Sequence, residues 1–243
     1  MKYAAKTIAG IRTQNQDAVF IPEEGMLAIA AVADGMGGHN AGDIASALAI
    51  KTLIETMHST TPGSIRERLI NAVNMANSAV YELSLSDEGY RGMGTTLVAA
   101  VLEGGRFVAA NVGDSRLYHY DGLHLTQITQ DHSYVAQLAA LGYITREEAA
   151  HHPQRNIITR AVGTRQVERV DIFDCVWKAG DKLLICTDGL YGELDENEMA
   201  DILGCQAEEL QAACDMLVDR ALNAGSRDNI SAVIIYNDGV HAQ

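Results

Sequence analysis

The sequence predicts a single α+β domain in which antiparallel strands are covered by long helices. Apolar, β-branched segments at 95–102 and 106–112 flank the turn Glu103-Gly104-Gly105, the pattern of a β-hairpin, and hairpins join antiparallel neighbours. Apolar residues also recur at helical spacing over 42–58 and in the segment that follows, as in helices that cover one face of a sheet. Three prolines and no linker or internal repeat in 243 residues predict one domain over residues 1–243.

The first half of the chain shows strand patterns followed by two helices. The run 26–33 is apolar throughout, as in a strand buried on both faces, and it leads into Asp34 and a glycine-rich segment. A short strand at 18–21 precedes it. Ser64 and Glu67 fit the capping box that begins a helix.

The second half returns to strands and adds an irregular region. Residues 131–162 are polar and weakly periodic, which predicts a flap. Within this segment the adjacent residues His151 and His152 precede a proline and are expected to be solvated rather than metal-bound. The remaining predicted elements are strands at 117–120, 170–177, 181–187 and 230–236 and helices at 134–141, 196–203 and 208–223.

Composition excludes several kinds of partner. The 18 basic and 32 acidic residues give a net charge of −14, which repels a phosphate backbone, so no nucleic acid is expected. No apolar run has the length of a signal peptide or a membrane span, so no membrane contact is expected. The 4 cysteines lack Cys-x-x-Cys spacing, which favours reduced thiols and a cytoplasmic location.

Four aspartates stand at predicted strand ends: Asp34, Asp114, Asp188 and Asp228. Carboxylates gathered in one place repel one another unless cations lie between them, and oxygen ligands suit Mg²⁺ or Mn²⁺ better than Zn²⁺. Two such ions activate a water for attack on phosphorus. Asp-Gly pairs at strand ends are also ordinary turns, so from spacing alone both interpretations stay open.

Six motifs, taken in order, resemble those of the type 2C metal-dependent Ser/Thr protein phosphatases of the bacterial type. The resemblance extends from Gly10 to Tyr236 and keeps the order and approximate spacing of the motifs. They are Asp34-Gly35-Met36-Gly37-Gly38-His39, Met93-Gly94-Thr95-Thr96, Asn111-Val112-Gly113-Asp114-Ser115-Arg116, Thr129-Gln130-Asp131-His132-Ser133, Cys186-Thr187-Asp188-Gly189-Leu190 and Arg227-Asp228-Asn229.

The resemblance implies a four-layer α-β-β-α sandwich of two antiparallel sheets flanked by helices, with a flap subdomain and the metals at one end. It assigns Asp34 as the carboxylate bridging two Mn²⁺ or Mg²⁺ ions and the Gly35 carbonyl as a ligand of the first ion. Asp188 and Asp228 are then ligands of the second, and Asp114 resembles the ligand of a third, weaker ion.

The resemblance also assigns the residues around the metals. Arg12 matches the phosphate-binding arginine, whose planar guanidinium takes two phosphate oxygens. Asp17 matches an acid near the metal-bound waters, as their partner or as a proton donor. Thr95 is expected to organise the site through its hydroxyl and Asn229 to orient Asp228, while His39 lies close in sequence without an assigned acid role.

The activity implied is hydrolysis of phosphoserine and phosphothreonine in proteins by attack of a metal-bridging water or hydroxide. The expected partners are phosphorylated proteins, among them a Ser/Thr kinase and its substrates, and the chain is expected to be a monomer.

Three other classes of function are open at this point. Cys214 and Arg220 have the Cys-x5-Arg spacing of cysteine phosphatases, but no glycine lies between them to form a phosphate cradle. A phosphoprotein-binding module on the same fold would be favoured by loss of a metal ligand, and all four aspartates are present. A nucleotide phosphodiesterase is disfavoured by the acidic charge.

Overall fold

The computed structural model describes residues 1–59 and 62–239, apart from the side chains of residues 38–40 and 207. The strands of these ranges are β1 (Lys2–Ile8), β2 (Asp17–Phe20), β3 (Ile29–Met36), β4 (Gly94–Thr95), β5 (Leu97–Glu103), β6 (Arg106–Val112), β7 (Arg116–Tyr120), β8 (Leu125–Gln127), β9 (Asp171–Val176), β10 (Lys182–Cys186) and β11 (Ile230–Tyr236). The α-helices are α1 (Gly38–His58), α2 (Ile65–Ser86), α3 (Tyr134–Ala140), α4 (Arg146–Ala150), α5 (Asp188–Tyr191), α6 (Glu196–Leu203) and α7 (Leu210–Ala224).

The strands form two sheets whose neighbours are antiparallel. Sheet I has the order β1-β11-β10-β7-β8, and sheet II has the order β2-β3-β5-β6-β9 with β4 beside β3. Helices α1 and α2 pack on sheet II, and α6 and α7 pack on sheet I. The predicted α+β sandwich of four layers is therefore present.

Alternation along the strands explains how the layers stack. In β3, Ala31 and Ala33 face the α1–α2 layer, whereas Ala30 and Val32 face sheet I. Successive side chains of a strand point to opposite faces, so a strand in the middle of four layers must be apolar on both. The continuous apolar run predicted from the sequence has this cause.

Three local features differ from the sequence prediction. Strand β3 continues through Asp34 and Gly35 because Asp34 pairs with Asp17 on β2 and Gly35 pairs with Thr95 on β4. Such pairings come from distant parts of the chain and override the low strand preference of glycine. Helix α1 begins at Gly38, earlier than its apolar periodicity indicates, and Asp188 begins α5 instead of ending a strand.

Strands β1 and β8 were not predicted, and the single strand predicted over 95–102 is divided into β4 and β5. Strands β1 and β8 lie at the two edges of sheet I. Their sequences are mostly half-buried and carry polar residues, so neither an apolar run nor a clear alternation marks them. The predicted capping box at Ser64 is formed, and a second one forms at Thr145.

The predicted flap leaves sheet I after β8 and returns to sheet II before β9. It contains α3 and α4, and it closes at its base where Ser133 bridges Ile158 and where Val162 bridges Thr95. None of the helices in the ranges given above is long and apolar enough to cross a bilayer.

Candidate active site

Asp34 and Gly35 lie at the end of β3, where the main chain is held from several sides. The Asp34 N–H donates to Thr96 Oγ1 at 2.9 Å, and the Asp34 carbonyl accepts from Thr95 Oγ1 at 2.9 Å and from the Thr96 N–H at 2.8 Å. Asp34 is thereby fixed by its peptide groups, which leaves its carboxylate free to face the centre of the site.

Gly35 is required by close packing of three segments. A Cβ at this position would lie 2.0 Å from the carbonyl oxygen of Gly42 on α1 and 2.6 Å from that of Gln16. Both contacts are with backbone that cannot rotate away. The β3–α1 junction and the N-terminal segment 9–16 therefore meet at a distance that only glycine allows.

Asp17 lies opposite Asp34 in the β2–β3 pair and is 9% exposed. Its Oδ2 accepts hydrogen bonds from Ser231 Oγ at 2.6 Å and Thr187 Oγ1 at 3.0 Å, while its Oδ1 is buried without a partner. Burial, opposed by these hydroxyls and reinforced by repulsion from Asp188, raises the pKa of Asp17 to about 7.

Asp188 and Asp228 come from α5 and from the turn before β11. Burial and then the charge of Asp228 raise the pKa of Asp188 to about 6, and Asp188 Oδ1 is buried without a partner. Asp228 Oδ1 accepts from the Asn229 N–H at 2.8 Å. A Cβ at Gly189 would lie 2.0 Å from the Asn229 carbonyl oxygen, so this glycine lets α5 approach the Asp228 turn.

Asp114 lies in a tight turn between β6 and β7 and is 5% exposed. Its carbonyl accepts from the Tyr191 hydroxyl at 2.9 Å, and Gly113 before it has a φ of 112°. Burial, followed by repulsion from Asp188, raises the pKa of Asp114 to about 8. The turn therefore holds the Asp114 carboxyl where burial and repulsion from neighbouring carboxylates outweigh the favourable charge of Arg116.

Arg12 supplies a cation at the rim. Its Nη2 donates to Asp228 Oδ2 at 2.9 Å and its Nε to the Arg227 carbonyl at 2.8 Å, and its side chain is 56% exposed. Asn229 holds the loop that carries Arg12. Its Nδ2 donates to the carbonyls of Ala9 and Gln14 at 3.1 and 2.9 Å.

Sequence reasoning missed three side chains that shape the site. Thr187 and Ser231 both donate to Asp17, and Asp43 in the first turns of α1 accepts from Gln14 Nε2 at 2.7 Å. One signal was available, since Ser231 is a hydroxyl inside the otherwise apolar strand 230–236. The side chain of His39 lies outside the described residues.

The cysteine alternative is excluded by the position of Cys214. This thiol is buried in α7, donates to the Ala232 carbonyl, and has its pKa raised to about 12 by burial. A thiol of that pKa is not a nucleophile at neutral pH.

The donor set fits divalent cations. Asp34 has its pKa raised well above its usual range by burial and then by the charges of Asp17, Asp188 and Asp114. Mutual repulsion among buried carboxylates is relieved by a bound cation. Within the described part of the chain, no group of three or more His, Cys, Asp or Glu side chains is arranged to hold an ion by itself. Main-chain carbonyls and water would have to complete the coordination, as Mg²⁺ prefers.

The sandwich and its cluster of carboxylates beside an arginine define a metal-dependent phosphatase. A model of the protein phosphatase 2C family matches residues 11–224. The serine/threonine phosphatase stp of Listeria monocytogenes serotype 4b is 39% identical over 214 residues, which cover 86% of this chain and 84% of the relative.

Solved structures agree with that match. A bacterial serine phosphatase has a TM-score of 0.91 at 33% identity, with 100% of both chains covered. The catalytic domain of the serine threonine protein phosphatase PstP, in complex with 2 manganese ions, has a TM-score of 0.85 at 34% identity and covers 96% of each chain. The chain belongs to the protein phosphatase 2C family, which confirms the predicted fold and the predicted class of enzyme, a Ser/Thr phosphatase.

Proposed function

We propose that the chain hydrolyses phosphoserine and phosphothreonine in proteins at the site built around Asp34. The observation that carries this proposal is the convergence of buried carboxylates with raised pKa values on one end of the sandwich, beside a half-exposed arginine. The structure of PstP in complex with 2 manganese ions supports a metal-dependent reaction on this fold.

The residues assigned to the metals are those predicted from the sequence. Asp34 would be shared by two Mn²⁺ or Mg²⁺ ions, with the Gly35 carbonyl on the first and with Asp188 and Asp228 on the second, and Asp114 would hold a third. When bound, such ions supply an activated water for in-line attack on phosphorus and neutralise phosphate charge.

Arg12 is the group we assign to the substrate phosphate. Its guanidinium is exposed enough to be reached from solvent, and it already binds a carboxylate oxygen of Asp228 and a main-chain carbonyl. Its planar fork can donate to two phosphate oxygens instead. Phosphate binding would therefore replace one anionic partner by another.

Asp17 is assigned to proton handling at its Oδ1. The Ser231 and Thr187 hydroxyls occupy Oδ2, which leaves Oδ1 as the atom able to hold a proton. In the metal-free chain, a pKa of about 7 allows both protonation states of Asp17 near neutral pH. Asn229 would act by orienting Asp228 through its N–H and by anchoring the Arg12 loop.

The proposed substrates are phosphorylated proteins, including a Ser/Thr kinase and the targets of that kinase. We further propose that residues 131–162 influence which peptides are accepted, because Arg155 of the flap lies close enough to Asp188 to act on its charge. The monomeric state and the cytoplasmic location stay predictions; the four cysteines are free, in keeping with the latter.

The test is release of phosphate from a phosphothreonine peptide with Mn²⁺ and with a chelator. We expect turnover only with Mn²⁺, and we expect Asp34→Asn and Asp188→Asn to abolish it while the circular dichroism spectrum stays native. Equal rates with metal and with chelator would refute the two-metal mechanism. Binding of the peptide without any release would instead identify a phosphoprotein-binding module.

A further inference from the structure

His132, at the base of the flap, contacts the turn that carries Asp114 through two hydrogen bonds to one residue. The His132 N–H donates to the Gly113 carbonyl at 2.9 Å, and the Gly113 N–H donates to His132 Nδ1 at 3.1 Å. His132 is 5% exposed, so water does not compete for these bonds. Both peptide groups of the residue before Asp114 are thereby held by a single histidine.

The opposite ring nitrogen reaches the other side of the flap base. A backbone N–H can only donate, so Nδ1 is the acceptor and Nε2 carries the proton. Nε2 lies 3.1 Å from Asp171 Oδ2 on β9 and donates to it, and the Arg160 Nη1 atom lies 3.1 Å from the same ring nitrogen. Arg160, on the returning end of the flap, donates from Nη1 to Asp171 Oδ1 at 3.0 Å.

The main chain of His132 also joins the two ends of the flap. Its carbonyl accepts from the Thr159 N–H at 2.7 Å, which ties the outgoing end of the flap to the returning end. The neighbouring residue Asp131 accepts from Arg116 Nη2 at 2.7 Å, so the same two turns are joined a second time. The base of the flap and the Asp114 turn are therefore one hydrogen-bonded unit.

Gly113 has little freedom to take another position. A Cβ there would lie 2.6 Å from the Thr96 side chain, so the turn is pressed against the segment that also fixes Asp34. On the other side the Tyr191 hydroxyl binds the Asp114 carbonyl. Of the contacts that hold the Asp114 turn, those of His132 and Asp131 lead to the flap, and the His132 ring is the one that continues to Asp171 on β9.

We propose that His132 is a positioning residue that fixes the direction of the Asp114 carboxylate and couples it to the flap. The proposal rests on the proposed role of Asp114 as a ligand for a third divalent cation. A change at the His132 ring would then be felt first at that cation, because the main chain of Asp34 is held separately by Thr95 and Thr96.

Two substitutions separate the contributions of the two ring nitrogens of His132. His132→Asn places an acceptor oxygen near the position of Nδ1 and retains the bond from the Gly113 N–H, whereas His132→Gln extends toward Asp171 and loses that bond. His124→Gln makes the same change at an exposed histidine and serves as the control.

Calorimetric titration with Mn²⁺ tests the proposal by measuring the affinity of each metal site, without relying on enzyme activity. In His132→Gln we expect the weak site to lose about tenfold in affinity, as is usual for groups that orient metal ligands, with the stronger sites unchanged. His132→Asn should stay close to the parent chain. Equal weak-site affinity in the parent and in His132→Gln would overturn the proposal.

Hydrogen exchange of the segment 111–116 gives a second, metal-free readout. We expect faster exchange in His132→Gln and near-native exchange in His132→Asn; unchanged protection in His132→Gln would also overturn the proposal. If Asp114→Asn leaves Mn²⁺ binding intact, the third-ion assignment fails, and exchange alone then decides the role of His132. Should His132→Gln fail to fold, Asp171→Asn, which weakens the hold on the ring, must show the same loss of protection.

Discussion

Asp114→Asn should stabilise the metal-free chain even though it removes a proposed metal ligand. Burial and the neighbouring carboxylates raise the pKa of Asp114 from 3.8 to about 8. A carboxyl whose pKa is raised by folding binds its proton more tightly in the folded chain. The carboxyl therefore favours folding fully below pH 3.8, and this contribution is lost as the pH rises through about 8.

The magnitude follows from that shift. Each pKa unit corresponds to roughly 1.4 kcal/mol, so a shift of about 4 units sets a ceiling of about 6 kcal/mol on the destabilisation above pH 8. The shift is shared with Asp188 and Asp131, and the structure relaxes around a buried charge. We expect about half of the ceiling, or about 3 kcal/mol, as the gain from Asp114→Asn at pH 8, and close to none at pH 4.

The assay is urea unfolding in the presence of chelator from pH 4 to pH 8.5. The difference between variant and parent in the free energy of unfolding should grow with pH. Asp219→Asn, at an exposed position on α7, should show no such trend. Added Mn²⁺ should stabilise the parent more than Asp114→Asn, because only the parent retains the full set of carboxylates. A difference that stays flat across this pH range would refute the electrostatic reasoning.

Three further predictions concern packing and positioning in the site. Gly35→Ala places a Cβ 2.0 Å from the Gly42 carbonyl oxygen and should destabilise by about 3 kcal/mol in urea unfolding; Gly105→Ala, where the nearest atom is 3.7 Å away, is the control and should be near neutral. Arg12→Lys keeps the charge but loses the planar fork, so KM for a phosphopeptide should rise about tenfold while Mn²⁺ affinity stays constant; an unchanged KM would contradict phosphate binding by Arg12. Asn229→Asp loses the two donors to the Arg12 loop, so hydrogen exchange in residues 9–16 should accelerate, and native protection there would argue against the anchoring role.

The sequence determined the types of most elements and predicted the aspartates of the candidate site. Apolar periodicity located α2 and β11, and the β5–β6 hairpin followed from its turn. These signals are local, because burying one face of a strand imposes an apolar period of two residues, and burying one face of a helix imposes a period of about 3.6 residues. The ordered motifs then indicated the family before any contact was known.

Tertiary structure alone decided how those residues act. No local pattern shows that Ser231 and Thr187 share one oxygen of Asp17, that Gly35 is enclosed by Gly42, or that the His132 ring joins Asp114 to the flap. Each of these contacts joins residues from different elements, and its energy depends on burial and distance, which appear only when the sheets close on one another. The raised pKa values have the same origin: one aspartate at a strand end is an ordinary turn, and several buried together become a site for cations.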